Sequence, residues 1–384
     1  MKYRTLLYLC IAIYSLMSCN TTELQSYNQH KNIMLENVND SLIDINGVFE
    51  DFEIISLDNK KQALLSSIGR IYIADSCFYI FDDNSIPNIV KFRMDGTYVC
   101  NIGAFGHAKG EYISLRDICV CEDGKTYALT WDKKIIEYDK NGKFQNIFKL
   151  DNKMDYSRLI SSGDYFVMSS KHGDNEFDYI LSFYDRSFNH IGDEISNLKQ
   201  DFKYHTHIKV PLLTNGKQIC FFDFYRNDFF LKDMSNINQT EIYTLQSSNI
   251  YHEEEAILGK LSTDPFLDKL EDVYLSDDRL YGFGPINKYL SYFEYNIKKQ
   301  KTTNYIYSDI YPLRMYSHND YYYAIFTAHQ LSSYRKGLKG MSFGNSFHQA
   351  LIDYKKDINP SDNFYVVRMK HKKNLEARIL TKNE

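Results

Sequence analysis

From residue 49 onward the chain alternates short apolar runs with polar turns, and this grammar repeats. Runs at 71–74, 77–81, 88–92 and 98–102 are joined by Asp75-Ser76 and Met94-Asp95-Gly96, which predicts four short strands with turn chemistry at their joints. A second unit reads 117–120, 126–131, 134–138 and 144–150, with turns at Glu122-Asp123-Gly124 and Asp139-Lys140-Asn141-Gly142. Further units begin at 158, 212, 273 and 314, each marked by a strand, a turn and a returning strand (Ser162-Gly163-Asp164, Asn215-Gly216, Asp277-Asp278, His318-Asn319-Asp320). The first turns recur every ~40 to 60 residues, the period of propeller blades. One four-stranded sheet cannot cover both of its faces. Radial stacking buries each face against the next blade. The reading is an all-β, six-bladed β-propeller of four-stranded antiparallel blades.

Two departures from the repeat are legible. Ser346-Phe347-His348-Gln349 has the Ser-x-x-Gln form of a capping box, and Phe347, Leu351, Tyr354 and Ile358 follow at helical spacing until Asn359-Pro360. This predicts a short helical insertion, about 330–359, in the last blade, before a final strand at 363–370. The strand at 49–57 precedes the first full unit. It is expected to pair with 363–370 and close the ring.

The start of the chain follows a different pattern. Lys2 and Arg4 precede an apolar run from 6 to 16, which ends in Leu16-Met17-Ser18-Cys19. This reads as a bacterial lipobox: residues 1–18 are a lipoprotein signal peptide, cleaved before Cys19, and Cys19 carries the lipid. Residues 19–48, polar and rich in Asn, Gln and Ser up to about 44, read as a lipidated tether. The propeller spans 49–373, and 374–384 is a C-terminal tail. The membrane is thus a partner through acyl chains, each buried CH₂ worth about 0.8 kcal/mol.

Composition supports the β reading: 33 Tyr and 25 Phe against 6 Pro and a single Trp favour pleated, half-buried surfaces. Losing Lys2 and Arg4 with the signal leaves 43 basic and 50 acidic side chains, well mixed, a mature net charge of about −7. No basic stripe is present, so nucleic acid is not an expected partner. Cys77, Cys100, Cys119, Cys121 and Cys220 remain after the signal and Cys19 are set aside. Cys119 and Cys121 alternate on one strand and face the same side, so they are not expected to pair; small buried hydrophobes are the expected role for most of the five.

Ile102-Gly103-Ala104-Phe105-Gly106-His107-Ala108-Lys109-Gly110-Glu111-Tyr112, preceded by the 92–98 strand-turn-strand, resembles the Gly-rich turn ending in Gly-Glu-Tyr of the six-bladed β-propeller lipoproteins of Bacteroidota (NHL/TolB-like propellers). Ile358-Asn359-Pro360 and 364–370 are similar to that family's closing Asn-Pro and last strand. Lys109 stands where the family usually has proline. The resemblance implies fold and address: a cell-envelope protein at the outer membrane, facing either the periplasm or the exterior. It assigns no activity, because most members of the family lack one. The glycines read as architectural, allowing positive φ where one blade hands over to the next.

Chemistry is sparse by motif. No Gly-x-Ser-x-Gly elbow, His-Glu-x-x-His or P-loop occurs. Asp123-Gly124-Lys125-Thr126 is a lone, imperfect match to the Asp-box turn of sialidases, with the tryptophan displaced to Trp131. His205-Thr206-His207 alternate on one strand face and could share a cation, but no third ligand can be named. His252 with Glu253-Glu254-Glu255 reads as a solvated acidic surface. Tyr321-Tyr322-Tyr323 read as strand packing, with one or two rings available to line the central channel. No catalytic, cofactor or metal residues are assigned, and no cofactor is expected. The favoured function is a monomeric binding or scaffolding module that offers a loop-lined funnel to a glycan, peptide or partner protein. The alternative is a propeller hydrolase or lyase acting on an extracellular polymer. Acid/base groups converging at the funnel would favour the alternative, and a broad aromatic or mixed surface would favour binding.

Overall fold

Each run of strand, turn and returning strand builds an antiparallel sheet, and six four-stranded sheets form a six-bladed β-propeller. In the computed structural model the described residues are 27–35, 38–150, 154–172, 176–199, 211–247, 250, 270, 272–276, 278–286, 289–307, 310–319, 321–338 and 346–372. Cys19, His205-Thr206-His207 and His252 to Glu255 lie outside them. Blades one to five start on Arg70–Ala74, Asp117–Val120, Arg158–Ser162, Leu212–Thr214 and Asp272–Ser276, and blade six on Arg314–His318. These first strands touch in a closed circuit, each meeting the first strand of the next blade. They therefore line the axis, and the turn that leaves each one points to the same face.

Both faces of each sheet are covered, so the core is divided into six clusters, one per blade–blade interface. The abundant aromatics serve here. Tyr79, Tyr112, Tyr138, Tyr243, Tyr281 and Tyr292 are among the largest fully buried side chains. The expected strand boundaries of the first two blades hold within a residue or two. The fourth strands of blades three, four and five (His190–Ser196, Gln239–Gln246, Lys301–Tyr307) carry no strong turn signal, and the sequence did not mark them.

The ring closes as expected. Strand β3 (Phe49–Ser56) lies antiparallel to Tyr365–His371, with Ile55 opposite Val366 and Ile54 opposite Val367, and supplies the fourth strand of blade six. Asn363 braces the junction: its Nδ2 donates to Asp58 O at 3.0 Å and Ala63 O at 2.8 Å, and its Oδ1 accepts from Leu65 N–H at 3.3 Å.

Two expectations are corrected. The stretch read as a tether contains two strands. β1 (Tyr27–Met34) runs parallel beside Gln239–Gln246, and β2 (Val38–Ile43) runs parallel beside Lys301–Tyr307, so blades four and five each gain a fifth strand. The sequence conceals them because an outermost strand needs apolar residues at few positions. Ile33, Leu35 and Ile43 are buried, while His30 and Met34 are exposed. A single helical turn, α1 (Ile45–Val48), capped by the Asp44 carboxylate on Gly47 N–H at 2.7 Å, then turns the chain into β3.

The insertion also differs from expectation. Among the described residues it holds two helices. α2 (Ala328–Gly337) starts in a reciprocal capping box between Thr327 and Gln330, directly after the second strand of blade six. α3 (Phe347–Asp353) is capped by Ser346 Oγ accepting from Gln349 N–H at 3.2 Å, and it ends ahead of Asn359-Pro360. Phe347 and Leu351 are fully buried against blade six. Among the described residues no helix is long and apolar enough to cross a membrane.

The Gly-Glu-Tyr segment is architectural, as read. Gly103 and Gly110 have φ of +66° and +83°, and a Cβ there would meet the Tyr138 ring at 2.7 Å and Phe144 at 2.5 Å. Tyr138 Oη donates to Gly110 O at 2.8 Å, and Tyr112 Oη donates to Ile102 O at 3.2 Å. Glu111 accepts from Ala108 N–H at 2.9 Å.

Candidate functional site

Because every first strand ends on the same face, the six turns that follow them converge around the axis. The turns of blades two to six, with the first strand of blade one, line a cavity of about 880 Å³. Its rim is built from Cys121 to Asp123 and Lys125 of blade two, Ser161 to Gly163 of blade three, Thr214 to Lys217 of blade four, Ser276 of blade five and Ser317 to Asn319 of blade six. An arm of the cavity reaches between blades two and three, where Tyr127, Glu137, Phe148 and Arg186 line it.

Arg70 forms the far end. It is the first residue of the innermost strand of blade one and is almost wholly buried. Its Nη1 donates to Tyr72 Oη at 2.7 Å and to Leu159 O of blade three at 3.1 Å; Nη2 donates to Leu212 O of blade four at 3.1 Å. Asp117 of blade two lies 3.2 Å away and also accepts from Leu159 N–H at 2.8 Å. Tyr72 Oη donates to Ile118 O at 3.0 Å. One guanidinium thus contacts four blades across the axis, an arrangement that its planar, five-donor fork allows and an ammonium would not. Burial pushes the Asp117 carboxyl up, against the pull of Arg70 and Arg158. Burial also pushes the Tyr316 phenol, which shares this wall, up to about 12.

The lining is mixed in sign and polarity. Glu137 is tied to Tyr127 Oη at 3.2 Å and to Lys125 at 3.8 Å. Burial pushes His318 down, so it is mainly neutral at pH 7. Lys217, Glu122 and Asp123 are exposed at the rim. Among the described residues no group of three His, Cys, Asp or Glu side chains is placed to hold a metal ion.

Cys121 is not among the buried cysteines. Cys119 is fully buried, as read, but Cys121 opens on the cavity. Its thiol is lowered to about 6 by a hydrogen bond from Cys119, with Ser161 Oγ at 3.5 Å and Arg186 Nη1 at 3.5 Å adding to the effect and burial opposing it. Arg186 itself is held by Ser161 Oγ at 2.8 Å and by Gly163 O. These partners stabilise a thiolate without offering a base to accept protons. Alkylation of Cys121 by iodoacetamide is expected to reach half its plateau rate near pH 6, while Cys100, whose thiol burial pushes up, requires alkaline solution. In Cys119→Ala the midpoint rises toward the ordinary thiol value of about 8.5, and in Arg186→Ala it rises less. Peptide mass mapping across pH reads both, and a wild-type Cys121 midpoint at the ordinary thiol value would refute the assignment.

The tyrosine triplet does not line the funnel. Tyr322 and Tyr323 are buried between blades, Tyr322 at 5.3 Å from both Phe49 and Tyr281, and Tyr323 at 5.7 Å from Phe78. Tyr321 lies under the Arg368 guanidinium at 4.9 Å. The tyrosine and phenylalanine rings that line the funnel are Tyr72, Tyr127, Phe148 and Tyr316. The Asp-box-like turn sits at the rim as an ordinary turn, with Asp123 accepting from Lys125 N–H at 3.0 Å.

Ring and funnel together define a six-bladed β-propeller whose accessible chemistry lies on its turns. The chain belongs to the family described as a domain of unknown function, DUF4934, whose model matches residues 30–370. It is similar to the crystal structure of a candidate exported protein from Bacteroides fragilis, with a TM-score of 0.69 and 17% identity over 90% of this chain and 100% of the other. Weaker likenesses include BamB from Moraxella catarrhalis (TM-score 0.40, 10% identity, 72% of each chain) and the WD40 domain of Neurospora crassa Pan2 (TM-score 0.41, 10% identity, 67% of this chain and 71% of the other). None of the curated proteins matches the chain.

Proposed function

We propose that this chain is an exported cell-envelope lipoprotein, held at the outer membrane by lipid on Cys19, whose propeller is a binding or scaffolding module. The ligand, a glycan, peptide or segment of a partner protein, enters the funnel. The observation that carries this reading is the cavity of about 880 Å³ on the turn face, with a mixed lining of aromatic rings and charges of both signs. That volume lies within the usual range for ligand sites, and such a lining suits a ligand with both ring faces and polar groups. The lipobox and the likeness to a candidate exported protein of Bacteroides fragilis support the address. The carboxylate that lines the aromatic arm, Glu137, is already engaged by Tyr127 and Lys125 and so is not a free acid or base. This favours binding over hydrolysis or lyase chemistry.

Titration calorimetry of residues 20–384 against glycan and peptide panels tests the proposal. A binder is expected whose affinity falls about tenfold, near 1.4 kcal/mol, in Glu122→Ala/Lys217→Ala, a pair of exposed rim changes that spare the fold. No panel member is expected to be turned over. Reproducible turnover abolished by one funnel substitution would replace this reading with the enzymatic one.

A further inference from the structure

The path of β1 around the ring fixes more than stability. The strands of a blade alternate in direction, so in blade four the turn after Leu212–Thr214 and the turn between Asp228–Asp233 and Gln239–Gln246 lie on the same face. Contacts confirm the placement. Met234 N–H donates to the carbonyl of Lys217, a rim residue, at 2.9 Å, and Met234 Cβ lies 3.6 Å from where a Cβ on rim residue Gly163 would stand. β1 is parallel to Gln239–Gln246, and Tyr27 is opposite Gln239. The N-terminal chain therefore enters the propeller at the edge of the funnel face and runs away from it.

Cys19 lies eight residues before Tyr27. Fully extended, eight residues reach at most ~3.3–3.6 Å each, or about 26–29 Å. Carrying the anchor to the opposite face means returning along the eight residues of β1, which at ~3.3 Å per residue is about 26 Å. That consumes the whole reach. With the funnel face toward the bilayer the same leash keeps its slack, and an extended, straight leash is the entropically costly state.

We infer that the lipid-anchored propeller sits with its funnel face toward the bilayer, so that the partner of this face is the membrane surface and the funnel takes ligands displayed there. This rests on the lipid anchor at Cys19 proposed above. The competing orientation has an argument of its own. The opposite face exposes Leu64, Ile86, Phe105 and Trp131, side chains suited to a membrane interface. The leash sets against them the cost of full extension.

The single tryptophan makes the two orientations distinguishable. Trp131 is 60% exposed, beneath Arg116 at 4.1 Å, in the turn opposite the funnel. The lipidated chain is reconstituted in phosphatidylethanolamine/phosphatidylglycerol vesicles containing a dansyl-headgroup lipid, and energy transfer from tryptophan is measured. Wild type reports the far face; Trp131→Phe/Lys217→Trp and Trp131→Phe/Lys140→Trp report the funnel face from two separate turns. Transfer from either funnel-face reporter is expected to exceed that from Trp131 by about threefold or more, given the ~26 Å of strand between the faces. Equal transfer, or more from Trp131, overturns the inference. The anchor is checked separately by the lipid mass on the N-terminal peptide and by loss of vesicle binding in Cys19→Ala. If both fail, the anchor reading falls; if both hold while transfer is equal or reversed, only the orientation falls.

Discussion

A chain that starts after Ser56 is expected not to fold cooperatively. Blade six would then hold only three strands, and Tyr365–His371 would present an unpaired edge where β3 now lies. An open edge of this kind is a template for aggregation. The truncation also removes Phe49 and Ile55, both nearly fully buried, along with the backbone bond from Lys372 N–H to Val48 O at 3.0 Å. Because the ring is stabilised by each blade covering its neighbours, loss of one strand exposes two interfaces. A milder truncation separates closure from cladding. Removing residues up to 43 keeps β3 but strips β1 and β2, with Ile33, Leu35 and Ile43 leaving buried positions. At about 1.5–3 kcal/mol for each buried aliphatic side chain, less the entropy of ordering the segment, the loss is substantial and the ring stays shut. Circular dichroism melts should therefore show a lowered but cooperative transition for the shorter truncation and none for the longer. A cooperative melt near the wild-type midpoint after removal through Ser56 would show that β3 does not hold the ring.

These strands also show what the sequence could and could not announce. Blades one and two are legible because their turns carry Asp-Gly or Asn-Gly signals, and Gly96, Gly124 and Gly142 all take positive φ. Elsewhere the same backbone shape is made by Phe188 and Gln300, residues that do not advertise a turn, and the fourth strands after them went unread. Outermost strands have one half-wet edge and weak alternation, which hid β1 and β2 as well. The closing strand was legible because Phe49 to Leu57 is apolar enough to demand a partner and precedes the first complete four-strand unit, which leaves the last blade to take it. The start of α2 was readable in Thr327-x-x-Gln330, but the tyrosine run before it reads as an uninterrupted strand.

The funnel was illegible for another reason. Cys121 and Arg186 are 65 residues apart, and Arg70 meets carbonyls 89 and 142 residues away. A ring brings first-strand turns together whatever their spacing, so no local motif records the site. The usable signal was positional: once six units are assigned, the residues just after each first strand must face the axis. Cys121 holds that position in blade two.

The same logic makes Arg70 the residue whose loss should cost the ring most among single side chains. Its guanidinium and the Asp117 carboxylate are each at least 96% buried and lie 3.2 Å apart. Removing one partner of such a pair typically costs about 3–5 kcal/mol, because the other is left as an uncompensated buried charge. Arg70→Met keeps the volume and strips the charge, so a loss of that size is expected at pH 7, together with disturbance of the Leu159 and Leu212 contacts that join blades three and four to blade one. Arg70→Met/Asp117→Leu should be more stable than Arg70→Met, since the carboxylate left without its guanidinium is removed as well. The pH dependence gives a second reading. An unfolded aspartate titrates near 3.9, while burial raises Asp117 in the folded protein, and losing Arg70 raises it further. Between the two values the folded state binds a proton that the unfolded state has released, so stability falls as pH rises through this window. The deficit of Arg70→Met relative to wild type should therefore shrink on acidification and be largest at neutral pH. Urea melts of the three proteins from pH 4 to pH 8 measure it. A single variant within about 1 kcal/mol of wild type at pH 7, below the range expected for a broken buried pair, or a deficit that grows in acid, would show that Arg70 does not hold the axis through Asp117.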